Sequence, residues 1–523
     1  MKGLLLRLNN SDGRSVLVIA ICSLLSRVLG LLRDRALAHV FGTGSVLDAY
    51  VAAFRIPDFI FNTLILGALG AAFIPVFIKA REDSKELANQ VSSDTLRFLL
   101  LVATALAVIM WIFAPWAVKY IAPGFDEQTL KLTLNLTRIM LLTIPLFTVS
   151  NVLSGVLNAS RKYVSYALAP IFYNLGILFG VLALYPLIGT SGLAYGIVLG
   201  AFFHGVIQLP ETIITGWRYV ASGWLLPETR RILKLMIPRM IGLGVNQINQ
   251  VVVTSIATTV GTGAVSVFYF ANNIQALPIG LIAVSFSIVA FPLLASAHAK
   301  GEKELFLNHF SLNFRRIIFW IIPAAMLLLV LRAQVVRILL GSGEFNWNDT
   351  YLTAQSLGIF TLSLLPQALY PLVARTFYAQ GDTKRPLYFS LATVGLQIVL
   401  SLWLGQLYGV IGLAASFSLA QTIGFVLLLW SLHQRLGGLD DLKLIRSLLR
   451  VSGVSLLAAG ASYGMLYLVA PLVNMRTAVG ILLQGGLAGL AGVLMYFIVH
   501  WIMKSEEMVV AREWWVKRGG KFI

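Results

Sequence analysis

Seven arginines of this 523-residue chain fall within or at the edges of long apolar runs: Arg27, Arg33, Arg35, Arg55, Arg138, Arg239 and Arg375. An arginine near the bilayer centre costs about 2.5 to 3.5 kcal/mol on insertion scales, so it must face a cavity or a partner unless its stem can reach the interface. Depth separates the seven. Arg35 and Arg239 lie close to the ends of their runs and read as anchors, whereas Arg27 lies some twelve residues in, roughly 18 Å deep at about 1.5 Å per residue. Arg27 and Asp34 are seven apart and share a helix face, with Gly30 between them, so Asp34 is expected to neutralise one charge. Arg33 and Arg55, with Asp48 and Asp58, complete a dense charged cluster. Such a cluster is either a self-satisfied network of ion pairs or an anion-binding wall. The second reading is favoured because the guanidinium fork matches phosphate oxygens.

The corresponding stretches of the second half carry amides instead: Asn246, Gln247, Asn249 and Gln250, then Asn272, Asn273 and Gln275. These groups bind neutral sugar or peptide groups, or they hydrogen-bond between helices; the residue types do not decide which. No phosphate-cradling GxxxxGK[ST] loop, HExxH or GxSxG elbow occurs, and none of the six histidines stands at metal-ligand spacing from a second ligand. The expectation is therefore no catalytic residue, no metal and no cofactor. Uphill transport would have to draw on an ion gradient or on the membrane potential.

The elements that hold these residues are legible from composition. The chain is 58% hydrophobic and 12% charged, with mean hydropathy +0.83, and runs of the roughly 20 apolar residues needed for a span recur throughout. Fourteen transmembrane helices are expected. The first run carries Arg27, Arg33, Asp34 and Arg35 and no small-residue cleavage pattern, so it reads as a span and not as a signal peptide. The single cysteine, Cys22, reads as a small buried hydrophobe. Net charge is +18, and the alternate loops share it unequally: one set with both termini holds 28 lysines and arginines against 5 in the other. That asymmetry places both termini in the cytoplasm, fixes an even number of spans and makes the basic excess a topology signal, not a nucleic-acid footprint.

An internal repeat organises the spans. Gly42-Thr43-Gly44 recurs as Gly261-Thr262-Gly263, Pro57 as Pro278, Pro145 as Pro366, and Gly192-Leu193-Ala194 as Gly412-Leu413-Ala414, all at offsets of 219 to 221. Six spans per copy preserve orientation, giving parallel lobes over residues 1–220 and 221–440, with two added helices and a cytoplasmic tail over 441–523. A substrate held between two rocking lobes is the expected use of such a pair. Gly485, Gly486, Gly489 and Gly492 in the last span read as close helix packing or as one wall of a groove for a lipid chain.

Ser26-Arg27-Val28-Leu29-Gly30, Arg33-Asp34, Phe41-Gly42, Asp48-Ala49, Ala53-Phe54 and Pro57 together resemble the opening of the MurJ (MviN) lipid II flippases. Ala122-Pro123-Gly124-Phe125, Leu157-Asn158, Ala169-Pro170, Asn174 and Gln247-Ile248 continue the likeness. The resemblance implies the multidrug/oligosaccharidyl-lipid/polysaccharide exporter fold in the bacterial inner membrane. It also implies a lipid-linked diphosphate as substrate, undecaprenyl-diphosphate-linked peptidoglycan precursor, and further partners among cell-wall synthesis proteins. Arg27, Arg33 and Asp48 match charged positions that matter in the family; with Asp34, Arg55, Asn246, Asn249 and Asn273 they form the expected substrate-binding set. Where the family often has arginine and glutamate this chain has Phe61 and Leu66, then Asn273 and Ala276, and its sodium-site positions fall near Val253, Gln397 and Ser401. A flippase for another polyprenyl-diphosphate-linked saccharide is the runner-up. A cation-coupled exporter would favour intramembrane acids over arginines, and a non-transporting scaffold would need neither.

Overall fold

The computed structural model describes residues 12–220, 225–506 and 508. Lys2, Arg7, Arg512, Lys517, Arg518 and Lys521, part of the loop-charge count, lie outside them. Every regular element among the described residues is helical. The chain begins with α1 (Asp12–Phe41), α2 (Ser45–Ala53), α3 (Arg55–Ile60) and, after a π-helical turn at Phe61–Leu66, α4 (Gly67–Asp83). Then come α5 (Lys85–Ile121), α6 (Glu127–Ala159), α7 (Val164–Ile188) and α8 (Ser191–Ile214). Next are α9 (Pro227–Val260), α10 (Ala264–Ala299), α11 (Lys303–Val330) and the short α12 (Arg332–Leu340). The last are α13 (Trp347–Leu362), α14 (Leu364–Ala379), α15 (Lys384–Leu436), α16 (Asp441–Leu472) and α17 (Ala478–Ile502).

Among the described residues nine helices are long and apolar enough to span a bilayer, or ten if the bent pair α13 and α14 is one span. The difference from fourteen has physical causes. α1 carries six charged residues, the second expected span is broken into α2, α3, the π turn and α4, α9 holds five charged residues and the four amides Asn246, Gln247, Asn249 and Gln250, and α15 runs two expected spans together across a kink at Gly409. Apolar side chains such as Val108, Ile112 and Trp116 on α5 are exposed, while serines and threonines are buried between helices. This is the distribution expected when the surrounding solvent is hydrocarbon.

The helices form two compact units, Met1–Ser266 with Ser342–Phe345, and Val267–Gly341 with Asn346–Ile523. In the first, Phe73 and Phe77 of α4 pack with Val152 and Val156 of α6 and with Ile232 and Met236 of α9. α7 and α8 approach so closely that a Cβ on Gly196 would sit 2.4 Å from Gly180 Cα, and one on Gly176 would sit 2.3 Å from Gly200 Cα. That small-residue seam lets the backbones touch. In the second unit, Phe310 and Phe319 of α11, Phe377 of α14, Leu428 of α15 and Tyr496 of α17 share a core. Of the α17 glycines, Gly492 faces Leu327 and the Ala458 carbonyl, Gly485 faces Gln334, Gly489 faces Leu331, and Gly486 faces open space. Helix packing accounts for three of the four.

The repeat is visible in the backbone. α6 ends at Ala159 and α14 at Ala379; α7 then begins at Val164 and α15 at Lys384. The intervening turns close alike, by Lys162 N–H to Leu157 O at 2.8 Å and by Asp382 N–H to Phe377 O at 3.0 Å. Gly189 (φ 68°, ψ −154°), just after α7, and Gly409 (φ 65°, ψ −145°), at the kink of α15, adopt the same rare conformation. π turns follow Pro57 at Phe61–Leu66 and Pro278 at Ile279–Ala283; a proline removes one backbone bond and forces its helix to rewind locally.

Candidate substrate-binding site

α1 presents its charge toward α7. Arg33 donates to one oxygen of Asp34 through Nε at 3.0 Å and Nη2 at 2.8 Å, and through Nη1 to Asn174 Oδ1 at 3.2 Å. Asn174 turns its amide back to Ser26 O and Ser26 Oγ, both at 3.3 Å, and to Pro170 O at 3.0 Å. Asn174 Oδ1 lies over Gly30, 4.0 Å from where a Cβ would stand, an ordinary contact distance. The expected neutralisation of Arg27 by Asp34 is therefore corrected: Arg33 takes that role, and Asp34 is only 4% exposed. The shared face was not sufficient. Seven residues put about 10.5 Å between the two, and helical side chains tilt toward the N-terminus, so Arg27 points away from Asp34. Arg27 is half-buried, and among the described residues it has no hydrogen-bond or ion-pair partner.

Arg55 and Asp58 lie three apart on α3, and Asp58 is within electrostatic reach of both Arg55 and Arg33. Asp58 borders a cavity of about 10 Å³ lined also by Pro57, Thr143, Phe147 and Tyr173, room for about one water. Phe61 fills the adjoining space by packing on Phe147, ring centroids 4.6 Å apart. An aromatic pair stands at the position where the resemblance implies a cation. α1 and α3 thus carry three half-buried guanidinium groups: Arg27 without a polar partner among the described residues, Arg33 oriented by two polar neighbours, and Arg55 within electrostatic reach of Asp58. That is an arrangement suited to a phosphate-bearing anion.

Asp48, expected as a substrate contact, is instead 1% exposed and fully occupied by protein donors. It accepts from Gly263 N–H at 2.6 Å and Ser266 N–H at 2.8 Å, and from the Ser266 hydroxyl. A carboxylate from α2 therefore caps the start of α10, satisfying N–H groups that a helix terminus leaves without intrahelical partners and complementing its dipole. The two Gly-Thr-Gly turns of the repeat meet here. Gly263 has φ +86°, and a Cβ on it would lie 2.3 Å from Thr43 O.

Of the amides, Asn246 is exposed and Asn249 half-buried on α9. In the second unit Asn273 is half-buried, while Gln275 is buried and bonded reciprocally to Gln367 at 3.3 and 3.1 Å, with a further bond to Asn272 Oδ1 at 3.0 Å. Gln367 continues to Ser363, and Ser363 to Ser418. Part of this amide set is thus spent inside its own unit. Gln397 and Ser401 are buried on α15, Ser401 bonded to Ser416 at 2.8 Å.

Broken apolar helices, turns that repeat at an offset of 220 and arginines set within apolar helices define a polytopic membrane transporter. The chain belongs to the lipid II flippase MurJ family, whose model matches residues 37–483. A probable lipid II flippase MurJ of Rhizobium tropici is 30% identical over 510 residues, covering 93% of each chain. One of Vibrio cholerae is 28% identical over 433 residues, covering 80% of this chain and 82% of its own. Among solved structures, the inward closed conformation of a lipid II flippase MurJ aligns with TM-score 0.78 at 25% identity, covering 94% of this chain and all of that one. An inward-facing multidrug resistance transporter of the MATE family aligns with TM-score 0.66 at 18% identity over 82% of this chain, a likeness of fold alone.

Proposed function

We propose that this protein moves undecaprenyl-diphosphate-linked peptidoglycan precursor from the inner to the outer leaflet of the bacterial cytoplasmic membrane by alternating access. The observation that carries the reading is Arg27, a half-buried guanidinium in the middle of α1 with no hydrogen-bond or ion-pair partner among the described residues, on the same helix as Arg33, which Asp34 and Asn174 hold in place. A diphosphate supplies the charge that this position lacks. Arg27, Arg33 and Arg55 receive it; Asp34 and Asn174 position Arg33; Asn246, Asn249 and Asn273 address neutral groups of the cargo. The Asp48 clamp serves as a latch that holds the start of α10 in one state and releases it in the other. Lobes over 1–220 and 221–440 carry the cycle, with 441–523 added to them, and cell-wall synthesis proteins are its partners. Complementation of a flippase-depleted strain tests this directly: rescue by the intact chain and failure by Arg27→Ala are expected, and failure of the intact chain overturns the assignment.

Both termini lie in the cytoplasm in this reading, supported by 28 basic residues against 5 in the alternate loops. Reporter fusions at Gly189 and Gly409 should register outside and at Gly301 and Gly438 inside. Agreement between Gly189 and Gly301 would show that the assigned span order is wrong.

A further inference from the structure

The kink at Gly409 folds α15 into a hairpin whose two ends, near Lys384 and Leu436, meet beside the turn that follows α14. Between them lies an open crevice of about 440 Å³ lined by Arg385, Phe389, Ser431, Gln434 and Arg435. Asp382 sits at its edge. It accepts from the N–H groups of Lys384 and Arg385, both at 3.1 Å, pairs with Arg385 Nε at 3.5 Å, and is bonded by Arg435 Nη1. Its partial burial alone would raise the carboxyl, but those backbone bonds and the Arg435 guanidinium hold it below the usual range. Ionised Asp382 therefore balances only one of the two arginines, and Lys384 adds a further positive charge.

The repeat supplies a comparison inside the same molecule. At the offset of 220 that aligns the two turns, Arg385 stands where Ser165 stands in the first half, Ser431 where Glu211 stands, and Arg435 where Thr215 stands. At the first-half counterpart Glu211 is 1% exposed and its carboxyl accepts from Ser165 N–H at 2.7 Å. That position is filled by an acidic side chain of the protein itself. In the second half a hydroxyl and two guanidinium forks stand there instead, and Asp382 alone leaves positive charge over for an anion from outside.

Depth identifies the source. One residue from Phe389 and one from Ser431 are Tyr388 and Trp430, 64% and 57% exposed, and Leu391 and Leu427 continue the exposed apolar surface beyond them. Exposed Tyr and Trp mark the level where hydrocarbon gives way to headgroups, and basic pockets there recognise lipid phosphates. We propose that the crevice between the two ends of α15 binds the phosphate of an anionic phospholipid, with Arg385 and Arg435 on its oxygens and an acyl chain along Tyr388, Leu391, Leu427 and Trp430. The assignment to the inner leaflet rests on the topology given above; binding itself does not depend on what the protein transports.

The test uses the full chain in neutral detergent, with dioleoyl phosphatidylglycerol, dioleoyl phosphatidylcholine and inorganic phosphate as probes, read by native mass spectrometry and melting temperature. Phosphatidylglycerol adducts should persist on the unaltered protein. Their apparent affinity should fall at least tenfold in Arg385→Gln/Arg435→Gln and in Ser431→Glu, which places in the crevice the carboxylate its counterpart already has. Ser431→Glu retains both arginines and carries the test if the double variant does not fold. Equal phosphatidylglycerol retention in Ser431→Glu and the unaltered chain would overturn the proposal. So would a phosphate-induced melting shift as large as the lipid's, which would make this a site for soluble anions.

Discussion

Asp48 accepts the backbone N–H of Gly263 at 2.6 Å across 215 residues of chain, and the same carboxylate takes the N–H and hydroxyl of Ser266. A buried acceptor with three donors tolerates neither neutralisation nor loss. Asp48→Asn turns an amide hydrogen toward one donor and should cost about 1 to 3 kcal/mol, read as a lower melting temperature in detergent. If the clamp must open during transport, Asp48→Cys with Ser266→Cys, in a chain whose only cysteine, Cys22, is replaced, should cross-link and stop transport until reduced. Undiminished transport by the oxidised double-cysteine protein would show that the clamp is static.

Arg27 and Arg33 should separate by phenotype. Arg27→Ala removes no hydrogen bond or ion pair found among the described residues and should insert at ordinary yield while losing transport. Arg33→Ala takes two bonds from buried Asp34 and one from Asn174, so it should also lose about 1 to 3 kcal/mol of stability. Exposed Arg239→Ala should do little. Matching losses of yield in all three variants would favour a purely structural role for the cluster.

Gly196→Ala places a methyl 2.4 Å from Gly180 Cα, and overpacking of this kind costs about 1 to 3 kcal/mol. Gly486→Ala, where a Cβ meets nothing within 4 Å, should be neutral or mildly stabilising. Melting temperatures of the two variants decide it; similar values would mean that the α7–α8 seam is loose enough to relax.

Undecaprenyl diphosphate alone should compete with the full precursor within about tenfold, roughly 1.4 kcal/mol. The guanidinium forks address the diphosphate, while Gln275 and Asn272 are engaged within their own unit. Competition a hundredfold weaker would show that sugar and peptide dominate binding.

Membrane partition made much of this protein legible without coordinates. Whether a run of residues prefers hydrocarbon depends on its own composition, and so does the cost of an arginine placed in it; the membrane class and the costly positions of Arg27, Arg33 and Arg55 followed from that, and the repeat from glycines and prolines recurring at one offset. Pairing is a different matter. Asp34 was within helical register of Arg27, yet side-chain tilt and the arrival of Asn174 from α7 gave it to Arg33. Asn174 carried only the weak signal of an amide in an apolar run. Asp48 looked like a ligand for cargo because charge in a span suggests it, and only the approach of Gly263 and Ser266 revealed a helix cap. Sequence determined which residues the bilayer would make costly; tertiary structure decided how each was satisfied, because hydrogen bonds depend on ångström-scale approach between segments far apart in the chain.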